Sequence, residues 1–308
     1  MNYVYGPVPS RRLGFSLGVD IVPYKTCTIN CIYCQIGKTT HKTLNRVPYA
    51  QKADILNEVK EVLSRKQQID YITFSGSGEP TLNSDIGVLI KEVKALTSLP
   101  VAVLTNGTLL FRDDVQKDLL NADVVIPSLD AASSQIFRSV NRPHHLLNIE
   151  TIIDGLKAFR KRYRGRMWLE IMLIKDFNDS IEELSLIRDA ISEIQPDRVH
   201  LNTVIRPPSE LFAKPLSREE MAAVKKILDE DCEIVAEFHG QSTGEAQNVE
   251  EAIVEMAKRR PITIVDIANV LGISETNAGQ MIRGLREKSR LEEKQHHGET
   301  YYFHSTAK

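Results

Sequence analysis

The chain has 308 residues, an apolar fraction of 42% and a net charge of −2. At ~100 to 200 residues per domain this suits one large domain plus a small one, with no global electrostatic signature for nucleic acid. No apolar stretch reaches the ~18 residues that a membrane-crossing helix needs, so no membrane partner is expected. Only four cysteines are present, too few for a disulfide framework in a chain of this size. The start, Met-Asn-Tyr-Val-Tyr-Gly-Pro, has no charged region followed by an apolar run. The expectation is a cytoplasmic protein with reduced thiols.

After an N-terminal segment, β-rich runs alternate with amphipathic ones. Leu17 to Val22 predicts a first strand that leads into a cysteine-bearing loop, and Ala50 to Ser64 a helix with Ile55, Val59 and Val62 on one face. Tyr71 to Phe74 predicts a strand ending in Ser-Gly-Ser-Gly-Glu-Pro. Val101 to Thr105 ends in Asn106-Gly107, and Val124 to Leu129 in Asp130. Met167 to Ile174 and Arg198 to Val204 complete a set of six strands. Between the last two, Ser180 opens a helix with Glu183 three residues on, the pattern of a capping box; Ile181, Leu184, Ile187, Ile191 and Ile194 form its buried stripe. Such alternation predicts an α/β fold of parallel strands with helical crossovers.

A second domain is expected from near Asn248, dividing the chain into 1–246 and 247–308. Val249 to Lys258, Thr263 to Leu271 and Ser274 to Lys288 read as helices. The Leu271-Gly272-Ile273 link is a helix-turn-helix type of turn, with Ser274 as N-cap. Arg290 to Lys294 and Thr300 to His304 then flank Gln-His-His-Gly-Glu as a hairpin. Three helices and a hairpin predict a separable winged-helix domain. Residues 257–308 carry nine Lys or Arg against six Asp or Glu, a local +3 that leaves −5 on the rest. This points to a polyanionic partner, RNA or DNA, although Arg283, Arg286 and Lys288 face Glu275 and Glu287 and make a thin phosphate footprint. Protein docking or dimerisation is the alternative.

The chemistry is concentrated in Lys25-Thr-Cys-Thr-Ile-Asn-Cys-Ile-Tyr-Cys-Gln, where Cys27, Cys31 and Cys34 form a C-x3-C-x2-C run. Structural zinc takes four protein ligands, and a 4Fe-4S cluster held only by cysteine also takes four. Three thiolates leave one iron open for something that is not protein. A zinc knuckle completed by His41 is the competing reading, and zinc sites more often come as paired knuckles. Cys232, alone beside an apolar run, reads as a buried thiol.

This spacing, with Tyr33 just before the last cysteine, resembles the radical S-adenosylmethionine (radical SAM) superfamily. The resemblance implies a partial (β/α)6 barrel ahead of the winged helix and a 4Fe-4S cluster on Cys27, Cys31 and Cys34. It also implies S-adenosylmethionine chelated by its amino and carboxylate groups at the open iron, and an electron donor such as flavodoxin or ferredoxin. Gly76, Ser77, Gly78 and Glu79 match the Gly-Gly-Glu-like motif whose backbone receives the methionine amino group. Asn106, Ser128 and Asp130 match by position the residues that hold carboxylate and ribose, while Met172 to Ile174 and Asn202 lie where adenine is sandwiched. Plainer roles exist for several: Asn-Gly is a common turn, and Asp130, Asn178 and Asp179 could each cap a helix. In parallel barrels the chemistry sits at the C-terminal ends of the strands, where all of these motifs fall.

The stretch Tyr5-Gly-Pro-Val-Pro-Ser-Arg-Arg-Leu-Gly, with Ser16-Leu-Gly-Val-Asp and Lys25-Thr-Cys, looks like the branch related to the tRNA wyosine-forming enzymes, over roughly residues 1 to 240. No cysteine precedes Cys27, whereas the wyosine enzyme carries further cysteines there for a second cluster. Arg138, Arg142, His144 and His145 fall on the active-site side, as receivers of an anionic substrate; Arg160 to Arg166 fall on the opposite face. The expectation is a radical SAM oxidoreductase or transferase that makes a 5'-deoxyadenosyl radical and acts on RNA, DNA or protein. An Fe-S sensor that binds DNA is the competing function, and it would have no use for a barrel with an S-adenosylmethionine pocket.

Overall fold

In this computed structural model, which describes residues 3–10, 12–65, 67–229, 231–235 and 249–305, the alternating runs become one sheet with helices packed against it. The chain opens with β1 (Val4–Ser10) and turns back as β2 (Gly14–Val19). Two short strands, β3 (Thr26–Cys27) and β4 (His41–Lys42), bracket the cysteine loop. Then follow α1 (Lys52–Ser64), β5 (Tyr71–Phe74), α2 (Ile86–Leu96), β6 (Val101–Thr105), α3 (Asp113–Leu119) and β7 (Val124–Pro127). Next come α4 (Ser134–Val140), α5 (Ile149–Arg162), β8 (Arg166–Leu173), α6 (Ile181–Ile194), β9 (Arg198–Thr203), α7 (Arg218–Leu228) and β10 (Glu233–Ile234).

The sheet runs β1-β2-β5-β6-β7-β8-β9-β10. Only β1 is antiparallel to its neighbour; the other pairs are parallel. Among the described residues no pairing joins β10 back to β1, so the sheet is a partial barrel. Its parallel strands include all six read from the sequence. The interior is closed by residues such as Leu17, Ile72, Phe74, Val103, Leu156 and Phe159, each 0% exposed.

Three expectations change. The first strand ends at Val19, not Val22, and β1 was not foreseen: Pro7 and Pro9 in its sequence suggest a loop, but Pro is tolerated on an edge strand, where a missing N–H costs no ladder bond. Ile181 is 68% exposed and lies off the buried stripe of α6. The reciprocal capping box of α6 is absent: Ser180 does accept from the Glu183 N–H at 3.3 Å, but the Glu183 carboxylate instead accepts from the Ala132 and Ser133 N–H groups at 2.7 and 3.0 Å. The unpaired amides just ahead of α4 compete for it and win.

The C-terminal elements are α8 (Val249–Arg259), α9 (Ile264–Leu271), α10 (Glu275–Glu287) and the hairpin of β11 (Leu291–His296) with β12 (Glu299–His304). Thr263 and Ser274 cap α9 and α10, and Gly272 ends α9 in the left-handed conformation. Ile253, Ile267, Leu271, Ile282 and Leu285 share one apolar cluster with Val8 of β1, and Tyr5 packs against it. These helices therefore bury their apolar faces partly on the first strand of the sheet. The expected boundary between 246 and 247 lies outside the described residues. Among those described, no helix is long and apolar enough to cross a membrane.

Candidate active site

The cysteine loop is fixed by polar bonds from several other loops. On one side, Ser77 O accepts from Lys25 N at 2.7 Å, and Thr26 O accepts from Glu79 N at 3.0 Å. On the other, Asn30 N and Ile32 N donate to Asn141 O and Val140 O at the end of α4, both at 2.9 Å. The Thr28 hydroxyl bonds that of Thr108 at 2.7 Å, and the Ser209 hydroxyl, from the segment after β9, donates to the carbonyls of Cys31 and Ile32 at 3.0 and 2.9 Å.

Each thiol sulfur then receives one side-chain N–H. Asn106 Nδ2 lies 3.4 Å from Cys27 Sγ, Asn141 Nδ2 lies 3.4 Å from Cys31 Sγ, and Lys25 Nζ lies 3.1 Å from Cys34 Sγ. Burial pushes the Cys27 thiol up to about 11, with Glu79 adding to the rise. Burial, then the neighbouring Asp130, hold the Cys31 thiol well above its ordinary value. A bound metal would have to displace these protons. All three cysteines lie on the wall of a 350 Å³ cavity whose lining also includes Gly76, Glu79 and Ser128. Among the described residues no three His, Cys, Asp or Glu side chains are grouped to hold a single metal ion. Three sulfur donors on one cavity wall, each with a side-chain N–H donor, fit a 4Fe-4S cluster that keeps one iron open to a non-protein ligand.

The glycines of the Ser-Gly-Ser-Gly-Glu turn are required by packing. Gly76 has φ +141°, and a Cβ there would lie 2.4 Å from the Asp20 carboxyl carbon; a Cβ on Gly78 would lie 2.0 Å from Thr26 O. The turn thus presses onto the start of the cysteine loop, an approach that only glycine permits. Asp20 Oδ2 accepts from both the hydroxyl and the N–H of Ser77, at 2.5 and 3.1 Å. The Glu79 carboxylate accepts from the Thr81 N–H, the Thr81 and Thr105 hydroxyls and the Asn106 N–H at 2.6 to 3.0 Å. Glu79 is 2% exposed and its acidity is weakened by burial despite those donors. It joins the ends of β5 and β6.

Several residues expected to meet a ligand directly are otherwise engaged. Asp130, 4% exposed, accepts from the Tyr33 hydroxyl at 2.5 Å, Asn141 Nδ2 at 2.7 Å and Met172 N at 2.9 Å. Burial raises its pKa, against the pull of those three donors. It bonds Tyr33 of the cysteine loop and lines a small cavity with Asn106 and Ser128, not the 350 Å³ one. Asn202 is also off that wall: it is 3% exposed, with Nδ2 3.3 Å from Glu170 Oε1. Met172 and Ile174 pack with Ile32 and Val140 behind the loop. Asn178 is 0% exposed; its amide donates to the carbonyls of Asp130 and Met172 and accepts from Ile174 N, so it braces the ends of β7 and β8.

Arg142 is bound to Glu210 at 2.6 Å, and His144 stacks on His145, away from the cavity lining. Cys232 is 1% exposed in an apolar cluster with Leu216, Met221 and Val224. Asn141 was not read as a site residue. It follows α4 as a C-cap, and nothing local marks it as a partner of a cysteine 110 residues away.

The cysteine loop, with Gly76 to Glu79 and Ser128 on the same cavity wall, lies inside the segment, residues 21–186, that matches the Radical SAM superfamily model. A UPF0026 protein of Methanocaldococcus jannaschii is 34% identical over 311 residues, covering 98% of this chain and 96% of its own length. The GTPase Obg of Brachyspira hyodysenteriae is 41% identical over 294 residues, but this chain spans only 43% of that protein. No phosphate-binding loop accompanies that likeness here, because Ile32 stands where a P-loop ending at Gly37-Lys38-Thr39 would need its first glycine. Among solved structures, a radical SAM methyltransferase from Sphaerobacter thermophilus superposes with a TM-score of 0.57 at 17% identity, over 72% of this chain and 65% of that one, a likeness of fold. The chain belongs to the radical SAM superfamily of enzymes, in the group that contains the UPF0026 protein of Methanocaldococcus jannaschii.

Proposed function

We propose that this protein holds a 4Fe-4S cluster through Cys27, Cys31 and Cys34 and uses it to cleave S-adenosylmethionine in the 350 Å³ cavity. The observation that carries this reading is the set of three thiols on one cavity wall, each with an N–H donor at its sulfur. When bound, the cluster would supply the electron, received from a flavodoxin- or ferredoxin-like donor, that turns S-adenosylmethionine into methionine and a 5'-deoxyadenosyl radical. The chain's own residues bind and orient. The backbone of Gly76 and Gly78 would meet the methionine end of the cofactor beside the cysteines. Ser128 offers a hydroxyl from the end of β7. Glu79 and Asp130 act one layer back, the first holding Asn106 in place and the second holding Tyr33 and Asn141.

Residues 247–308 would serve as a winged helix that recruits a polyanionic macromolecule, in keeping with the local +3 of residues 257–308. Affinity for a nucleic acid would then fall steeply with salt as counterions are released; a flat salt response would favour a protein.

Anaerobic reconstitution tests the central claim. Wild type should hold close to four irons per chain by metal analysis and release 5'-deoxyadenosine when reduced with S-adenosylmethionine. Cys27→Ala, Cys31→Ala and Cys34→Ala should each abolish that release, whereas Cys232→Ala should leave iron content unchanged. A triple variant that still holds a complete cluster would overturn the reading.

A further inference from the structure

Lys25 is the least expected of the three sulfur donors. Its backbone has φ +57°, the left-handed region that asparagine or glycine occupies with least strain. Its N–H and C=O are both used, to Ser77 O and from the N–H groups of Thr40 and His41. The backbone bonds would be served equally by glycine. The side chain is 4% exposed, and its ammonium sits 3.1 Å from Cys34 Sγ, with no carboxylate among the described residues joined to it as an ion pair. Buried cations are found with a counter-charge, and the one at hand is the sulfur. Cys27 and Cys31, by contrast, receive neutral carboxamide N–H groups from Asn106 and Asn141.

We propose that Lys25 is a charge-compensating residue of the cluster, which acts through Cys34 to make the cluster easier to reduce. This rests on the reading that the three thiolates hold a 4Fe-4S cluster. The potential of such a cluster depends on net charge and on hydrogen bonds to its sulfurs. A fixed ammonium stabilises the state with one more electron, and the two carboxamides supply donors without net charge. Lys25 thereby gives Cys34 a different electrostatic environment from Cys27 and Cys31.

The test is the midpoint potential of the reconstituted protein, followed by EPR in a redox titration without S-adenosylmethionine, for wild type, Lys25→Met, Lys25→Gln and Lys25→Arg. All keep a Cβ at the left-handed position, so backbone strain is matched. Lys25→Met should retain wild-type iron content while its reduced-to-oxidised ratio at a given potential falls about tenfold, a downward shift of about 59 mV for a one-electron couple. Lys25→Gln should show a comparable fall, because it keeps a donor and loses the charge, and Lys25→Arg should stay near wild type. An unchanged potential in Lys25→Met with a complete cluster rejects the inference, as does an equal shift in Lys25→Arg. If neither Lys25→Met nor Lys25→Gln assembles a cluster, Lys25 is an anchor of the loop and the inference fails. If wild type itself assembles none, the underlying reading fails first.

Discussion

The cysteine loop and the C-terminal helices are held in opposite ways. The loop buries Ile29 and Ile32, but its turns are set by hydrogen bonds that arrive from the ends of β5, β6 and α4 and from the segment after β9. The C-terminal helices are set by burial, with Ile253, Ile267 and Leu285 in one apolar cluster with Val8. Hydrogen bonds fix geometry to tenths of an ångström but fail one partner at a time, whereas apolar burial tolerates local change and fails when a whole face is uncovered.

Removing residues 236–308 breaks the second mode outright. It uncovers Val8 and strips Tyr5 of the Arg259 guanidinium, which lies 4.8 Å from the ring centroid. The expected outcome is loss of soluble monomer on gel filtration and of a cooperative melt by circular dichroism. A truncated chain that melts like the full one would make the C-terminal part the separable domain that the sequence suggests. Asp130→Ala probes the first mode. Three buried donors lose their acceptor, and at ~1 to 3 kcal/mol for each unsatisfied group, less than additively, stability should fall by about 3 kcal/mol in urea titrations. Cluster content should fall with it, because Tyr33 and Asn141 lose their shared anchor. Unchanged iron content with weakened S-adenosylmethionine binding would return Asp130 to a ribose role.

A smaller effect comes from the floor of the sheet. His200 is 2% exposed beside Trp168, and burial, helped by Arg12 and Arg198, lowers its pKa to about 4. Glu233 at 3.7 Å pulls the other way, but it is half-exposed and weakened by solvent. The unfolded chain protonates this imidazole below about pH 6.5, so stability present above that value is lost as pH falls toward 4. Urea midpoints should drop over that window by the equivalent of roughly 2 kcal/mol, and His200→Gln should flatten the slope.

The parallel strands were legible because each is a short local run bounded by a turn, and the cysteines because their spacing is itself local. What could not be read is whatever the fold brings from a distance. Glu183 looks like half of a capping box until α4 presents its amides, and Asp130 looks like a helix cap or a ribose ligand until Tyr33 and Asn141 arrive. The Ser-Gly-Ser-Gly-Glu turn matches a ligand-binding motif, and its glycines also admit Asp20 and the Thr26 carbonyl. Close approach is visible in a sequence; what approaches is not.

The Ser209 hydroxyl that bonds the Cys31 carbonyl comes from 178 residues further along the chain. During synthesis the three thiols leave the ribosome early, whereas the last polar bonds that shape them form only after Asn141 and then Ser209 have emerged. At ~5 to 20 residues per second that interval is roughly 10 to 40 s, during which the thiols belong to an unshaped segment exposed to metals and oxidants. Under the proposed function, the cluster would be delivered after most of the barrel has been made, at a step separated in time from the synthesis of its ligands.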